Sequence, residues 1–226
     1  MCGRFTLKTT PEVLKDQFKL KNAFKVKPRY NIAPSQQVAG VRMNGEEGDR
    51  EGVLFRWGLI PAWAKDPAIG IKLINARAET VAEKPSFRGP FRHRRCLVLA
   101  DGYYEWQKVG RTKQPYLIRF GDERPFAFGG LWDRWTDPEG SNIETCTLMT
   151  TEPNELMKPI HNRMPVIIQP QDYEMWLDPE VQKVEQVQYL LRPYSSEEMV
   201  AYPVSLRVNN PRNDDPACLE PVELTS

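Results

Sequence analysis

The sequence predicts an α+β fold in which a curled, mainly antiparallel β-sheet forms a barrel-like core flanked by helices. Three observations point to it. Short runs rich in Val, Ile and aromatic residues recur from about Gln37 to Trp132, separated by turn residues. Helical spacing is confined to a stretch near the start and another in the last third. A chain of 226 residues with 40% hydrophobic content can bury most of its apolar surface in one core and is only marginally long for two, so residues 1–226 are read as a single domain.

The elements follow in order. Thr10-Pro11 reads as an N-cap followed by proline at the first helical position, and Val13, Leu14, Phe18 and Leu20 supply one apolar stripe, so a short amphipathic helix is expected there. QVAGVRM, GVLFRWG, RCLVLA, YYEWQ, YLIRF and FAFGGLW then read as strands, and ETCTLMTT and MPVIIQ continue the sheet. Helices are expected over Gln171 to Leu177 and Val181 to Leu191, with a last strand at Met199 to Val204 before a proline-containing tail.

Lys+Arg 31 against Asp+Glu 30 gives a net charge of +1, which neither proposes nor excludes a nucleic-acid partner, because binding depends on local patches. Cys2, Cys96, Cys146 and Cys218 lie far apart with no C-x-x-C pair, against a zinc site or a dense disulfide framework, and the last three are expected as buried thiols. No run of eighteen apolar residues occurs, and Arg4 and polar residues stand where a signal peptide needs an apolar stretch. The expectation is a cytoplasmic protein with no membrane association.

Several stretches could carry chemistry. MCGRF puts a cysteine behind the first methionine; once Met1 is removed, Cys2 would present an α-amine (pKa about 7.7–8.0) beside a thiol (about 8.5), a 1,2-aminothiol that no internal residue can supply. The alternative is a tolerated surface position. RYNIAPSQ, with its turn-forming Asn and φ-fixing Pro, is either a rigid pocket wall or a turn. INARAET would set Asn75, Arg77 and Glu79 on one face of an extended chain, lining a groove or facing solvent.

In DGYYEWQK, alternation sends Tyr103 and Glu105 to one side and Tyr104 and Trp106 to the other. Glu105 among aromatics is either a general acid and base with a raised pKa or an exposed strand residue. His161 of HNRMP, in a loop entering a strand, could shuttle protons or be an ordinary polar residue. Around His93, Arg88, Arg92, Arg94 and Arg95 form a basic cluster that could meet phosphates or simply face solvent.

Taken together, MCGRF, RYNIAPSQ, RWGLIPAWA, INARAET, DGYYEW and IHNRMP occur in the order and approximate spacing of the SOS-response-associated peptidase family, which the sequence strongly resembles from Cys2 to at least Val166. The resemblance implies a protein that shields abasic sites in single-stranded DNA through a covalent DNA–protein crosslink, with no metal or organic cofactor; a monomer is expected. It implies Cys2 as nucleophile, Asn75 as the active-site amide, Glu105 as the catalytic carboxylate and His161 as a second proton carrier. Arg4, Arg77 and Arg163 match basic positions along the DNA path, and Trp106 and Trp63 could offer apolar surface to bases. Trp63 is followed by Ala64, where some relatives carry a second tryptophan. The family name also implies peptidase action, which fits removal of Met1 by the protein itself.

Two rival classes remain. A glutamine amidotransferase with an N-terminal nucleophile would also begin Met-Cys-Gly, but further glutamine-binding motifs and a synthase domain are not found in the sequence. A non-catalytic module that recognises modified bases would use the basic segments and leave Cys2, Asn75 and Glu105 without a shared purpose.

Overall fold

The computed structural model describes residues 2–22, 25–44 and 48–224; Met1, whose removal the sequence reading invokes, lies outside them. In chain order the strands and helices are β1 (Phe5–Leu7), α1 (Pro11–Phe18), β2 (Arg29–Ile32), β3 (Gln37–Met43), β4 (Arg50–Trp57) and β5 (Asn75–Arg77). They continue with α2 (Arg88–His93), β6 (Arg95–Ala100), β7 (Gly102–Val109), β8 (Thr112–Phe120), β9 (Phe126–Thr136) and β10 (Asn142–Thr151). The last are β11 (Met164–Pro165), β12 (Ile167–Ile168), α3 (Tyr173–Leu177), α4 (Val184–Val187) and β13 (Met199–Pro203).

β10 pairs with both β4 and β9, and this closes β10-β4-β3-β6-β9 into a barrel. Its pairs are antiparallel except that β10 runs parallel to β4 and to the short β5. A second sheet, in the order β13-β8-β7-β1-β2, packs against it. Phe5 makes that junction: its ring lies 5.1 Å from Trp57 and 5.6 Å from Phe128, so β1 is anchored on the barrel wall and carries the N-terminal residues with it. One apolar cluster includes Phe5, Trp57, Phe128, Leu148 and Trp176, all fully buried. The fold is the α+β, barrel-like architecture that the strand pattern predicts.

The helices differ in detail from expectation. α1 starts with Pro11 behind Thr10 as predicted, but Lys19 takes a left-handed conformation (φ 54°) and ends it, so Leu20 packs beyond the helix and Val13 faces solvent. The helix expected over Val181 to Leu191 is reduced to one turn, Val184–Val187, and a 3-10 turn. Three valines in this segment are poor helix formers, and so short a helix gains little without a wide buried face. MPVIIQ is split: β11 pairs with β10 and β12 with β9, while Val166 bridges them through Val166 N to Met149 O (2.9 Å) and Gly129 N to Val166 O (2.9 Å).

The basic cluster is only partly a surface. Arg95 is buried and donates to the carbonyls of Phe91 (2.8 Å), Trp176 (2.6 Å) and Asp178 (2.5 Å), joining the ends of α2 and α3; burial depresses its pKa to about 10. Arg94 pairs with the buried Asp133. Both serve orphan carbonyls or a buried carboxylate rather than a ligand. All four cysteines are buried and free. No helix among the described residues is long and apolar enough to cross a membrane.

Candidate active site

The last residues of β10 gather two of the sequence motifs. Leu148 to Thr150 pair in parallel with Asn75 to Arg77 on one edge, while Thr150 and Thr151 pair with Pro165 and Met164 on the other. Asn75 and the His161–Arg163 turn are thereby brought to neighbouring places. β5 ends at Arg77, because Ala78 N bonds Thr150 O and Thr80 N bonds Arg77 O, turning the chain. Glu79 therefore lies in a turn and not on the same strand face as Asn75 and Arg77. It accepts a two-pronged ion pair from Arg163 (2.6 and 3.0 Å), which holds its carboxyl below the usual carboxylate range.

The other two motifs come from the second sheet. β1 pairs with β7 in the register Phe5 to Tyr103, and Tyr104 N bonds Arg4 O at 3.0 Å, so the residues ahead of Arg4 run alongside Glu105. Asn75 Nδ2 donates to the Cys2 carbonyl oxygen at 2.9 Å and ties the N-terminal strand to β5. The Asn75 Oδ1 is buried with no hydrogen-bond partner among the described residues. Cys2 is fully buried within the apolar cluster, and its thiol is pushed above its ordinary pKa by burial and by the nearby Glu105 charge.

Glu105 is 2% exposed, which removes the reading of an exposed strand residue. Both faces of β7 are covered: Tyr103 packs with the main cluster and Tyr104 with Leu117, Val204 and Val208. Burial raises the Glu105 pKa, partly offset by His161. Glu105 and His161 line one open cavity of about 440 Å³ with Trp106, Lys113 and Asn209. The Arg163 amide donates to His161 Nδ1 at 3.0 Å. In the neutral ring Nδ1 is therefore the acceptor and the proton is on Nε2.

The basic positions are not equivalent. Arg77 is exposed. Arg4 instead donates to Asn31 Oδ1 (2.9 Å), Val208 O (2.6 Å) and Asn209 O (3.2 Å), and Arg163 reaches Thr150 O (2.7 Å) besides Glu79. RYNIAPSQ does not line the cavity directly. Its Asn31 is fully buried and donates to Val208, Asn210 and Asn213 carbonyls, and Asp214 accepts from the Arg29 side chain and the Tyr30 and Asn31 amides. The motif fastens the C-terminal segment, whose Asn209 then accepts from Trp106 Nε1 at 2.8 Å and completes the cavity rim. Nothing in the local sequence around Asn209 signals this. Lys113 carries a faint signal as part of a basic turn between two strands.

Trp63 is 60% exposed at the tip of a braced loop. Ile60 N bonds Thr145 Oγ1 (2.8 Å), Ala62 N bonds Asp133 Oδ2 (3.0 Å) and Trp135 Nε1 bonds Ala64 O (2.7 Å). Gly58 starts the loop at φ 125°, where an added Cβ would lie 2.7 Å from the Gly70 carbonyl oxygen.

Residues 1–211 match the model of the SOS response associated peptidase (SRAP) family. The chain belongs to this family. It is 46% identical over 224 residues to the abasic site processing protein YoqW of Bacillus subtilis (strain 168), covering 97% of this chain and 99% of that one. It is 37% identical to the abasic site processing protein HMCES of Gallus gallus over 81% of this chain and 61% of the relative, so it spans less than two thirds of that longer protein. A crystal structure of a Bacteroides thetaiotaomicron protein superposes with a TM-score of 0.88 at 29% identity, over 98% of this chain and all of that one.

Proposed function

We propose that this SRAP-family protein processes abasic sites in single-stranded DNA by crosslinking itself to them through Cys2. The observation that carries the reading is the convergence of four residues from separate motifs: Asn75 bonds the Cys2 carbonyl, Glu105 lies near the Cys2 thiol, and Glu105 and His161 line one cavity. The abasic site processing relatives, matched nearly end to end, give the substrate class. Met1 is removed first, because an amine held in a peptide bond is not a nucleophile.

The Cys2 amine then adds to the aldehyde of the ring-opened abasic sugar, and loss of water gives an imine. The thiol sulfur attacks the imine carbon while its proton passes to the nitrogen, which closes a five-membered thiazolidine. A buried thiol with a raised pKa starts out protonated, so ring closure needs a base beside it, and Glu105 is the adjacent carboxylate. A carboxyl with a raised pKa returns protons as readily as it accepts them, which suits loss of water as well as ring closure. His161, on the same cavity as Glu105, serves a second transfer. Asn75 holds the Cys2 carbonyl and keeps its buried Oδ1 as an acceptor for an N–H of the reacting amine. Single strands suit the cavity, since an unstacked sugar must enter it.

Intact mass before and after exposure to an abasic single-stranded oligonucleotide tests the reading. The expected species lacks Met1 and gains the oligonucleotide less one water. A protein whose mass is unchanged by the oligonucleotide overturns it.

A further inference from the structure

Between Glu105 and Asp122 the chain carries Lys108, Arg111, Lys113 and Arg119 and no carboxylate. β7 and β8 fold this stretch into a hairpin that turns at Gly110 (φ 57°) and Arg111. The turn chemistry fixes the register, with Gly first in a two-residue loop, and that register sets Lys108 directly opposite Lys113. Like charges in that relationship repel. Arg119 is relieved by Glu123, and Arg42, Arg124, Arg134, Arg163 and Arg207 also have carboxylate partners. Lys108, Arg111 and Lys113 are exposed and form no ion pair among the described residues.

This concentration of unneutralised charge adjoins the reactive cavity. Lys113 lines it together with Glu105 and His161. Lys108 is three residues beyond Glu105 on the same strand, roughly 10 Å at about 3.3 Å per residue, and strand alternation puts it on the face of Trp106. Arg4 and Arg163, by contrast, are engaged with carbonyls and Glu79.

We propose that the tip of the β7–β8 hairpin, through Lys108, Arg111 and Lys113, is a phosphate-binding track for the DNA backbone where the strand leaves the Glu105–His161 cavity. The inference rests on the reading that an abasic strand occupies that cavity. Phosphodiester charge neutralises the opposed lysines without reading bases, so the contact is independent of sequence.

The test compares the parent protein with the K108Q/R111Q/K113Q variant. Equilibrium binding to a single strand carrying a tetrahydrofuran abasic analogue, which has no aldehyde, is measured against salt concentration. Single-turnover crosslinking to a true abasic strand is measured at saturating DNA. Three lost phosphate contacts should make the slope of log K against log salt shallower by about 2, and the same change should be seen with an undamaged strand. The saturated crosslinking rate of the K108Q/R111Q double variant, which leaves every cavity-lining residue in place, should stay within about twofold of the parent. Thermal unfolding of K108Q alone should be no lower than that of the parent, since it removes a repulsion. A triple variant with the parent's salt slope overturns the track while parent crosslinking still supports the proposed function. A parent that binds with a hairpin-dependent slope but never crosslinks overturns the proposed function and keeps the hairpin as a DNA-binding surface. Absence of both binding and crosslinking in the parent overturns both.

Discussion

The Asn75 side-chain amide donates to the Cys2 carbonyl oxygen at 2.9 Å, and this bond joins the N-terminal strand to the barrel across 73 residues of sequence. It fixes the backbone of the residue whose amine and thiol are proposed to react. Replacing Asn75 by Ala should cost about 0.5–1.5 kcal/mol of stability, the usual net worth of a hydrogen bond. The crosslinking rate should fall further, up to about 10²-fold, because misplacing a nucleophile by an ångström has that effect. Asn75→Asp, which keeps the shape and loses the donor, should be as slow. Denaturant unfolding and single-turnover crosslinking separate the two losses; an unchanged rate in both variants would show that Asn75 does not position Cys2.

Cys2→Ala should abolish the heat-stable adduct. The variant still offers an α-amine once Met1 is removed, so an imine trapped by borohydride should persist. Because Cys2 is fully buried in the apolar cluster, and not at the surface, loss of its sulfur should also lower stability by about 1 kcal/mol. Denaturing gels with and without borohydride distinguish the species, and a heat-stable adduct formed without reductant would contradict thiazolidine closure.

Glu105→Gln should slow both formation and reversal of the adduct by about 10²–10⁴-fold, since Gln keeps the shape but carries no exchangeable acid proton. His161→Ala should share part of the loss, with the double variant less than additive. The pH dependence of stability has a definite sign. Burial raises the folded pKa of Glu105 above the ordinary value of about 4.3, so the folded state holds this proton longer than the unfolded state. Stability from this group is complete below about 4.3 and is lost as pH rises through the folded value. Glu105→Gln should therefore gain relative stability as pH climbs through that window. Denaturation midpoints that move in parallel across it would count against a raised Glu105 pKa.

Trp63→Ala should weaken binding of single-stranded DNA by about 1–3 kcal/mol, the usual worth of stacking one base on an aromatic ring. With the residue 60% exposed and its loop braced by Asp133, Thr145 and Trp135, thermal stability should barely change. Fluorescence anisotropy of a labelled strand and a thermal melt check both. Affinity equal to the parent's would exclude Trp63 from the base-contacting surface.

The sequence by itself determined most strands from Gln37 onward, the α+β class and the residues worth watching, but not β1 or β2. Strand alternation and turn residues are local, so QVAGVRM, RCLVLA and FAFGGLW could be read directly. Cys2, Asn75, Glu105 and His161 stood out because six linked motifs resemble one family. Tertiary structure decided what each neighbouring charge is for. Arg4 and Arg95 look alike in sequence to any exposed arginine, yet carbonyls of distant segments consume both, while Lys113 becomes part of the cavity rim. RYNIAPSQ proved to be the anchor of the C-terminal segment through Asn31 and Asp214. The reason is physical: a guanidinium or buried amide takes whichever acceptors the fold brings within about 3 Å, and that proximity is set by strand pairings between residues far apart in the chain, which no local pattern encodes.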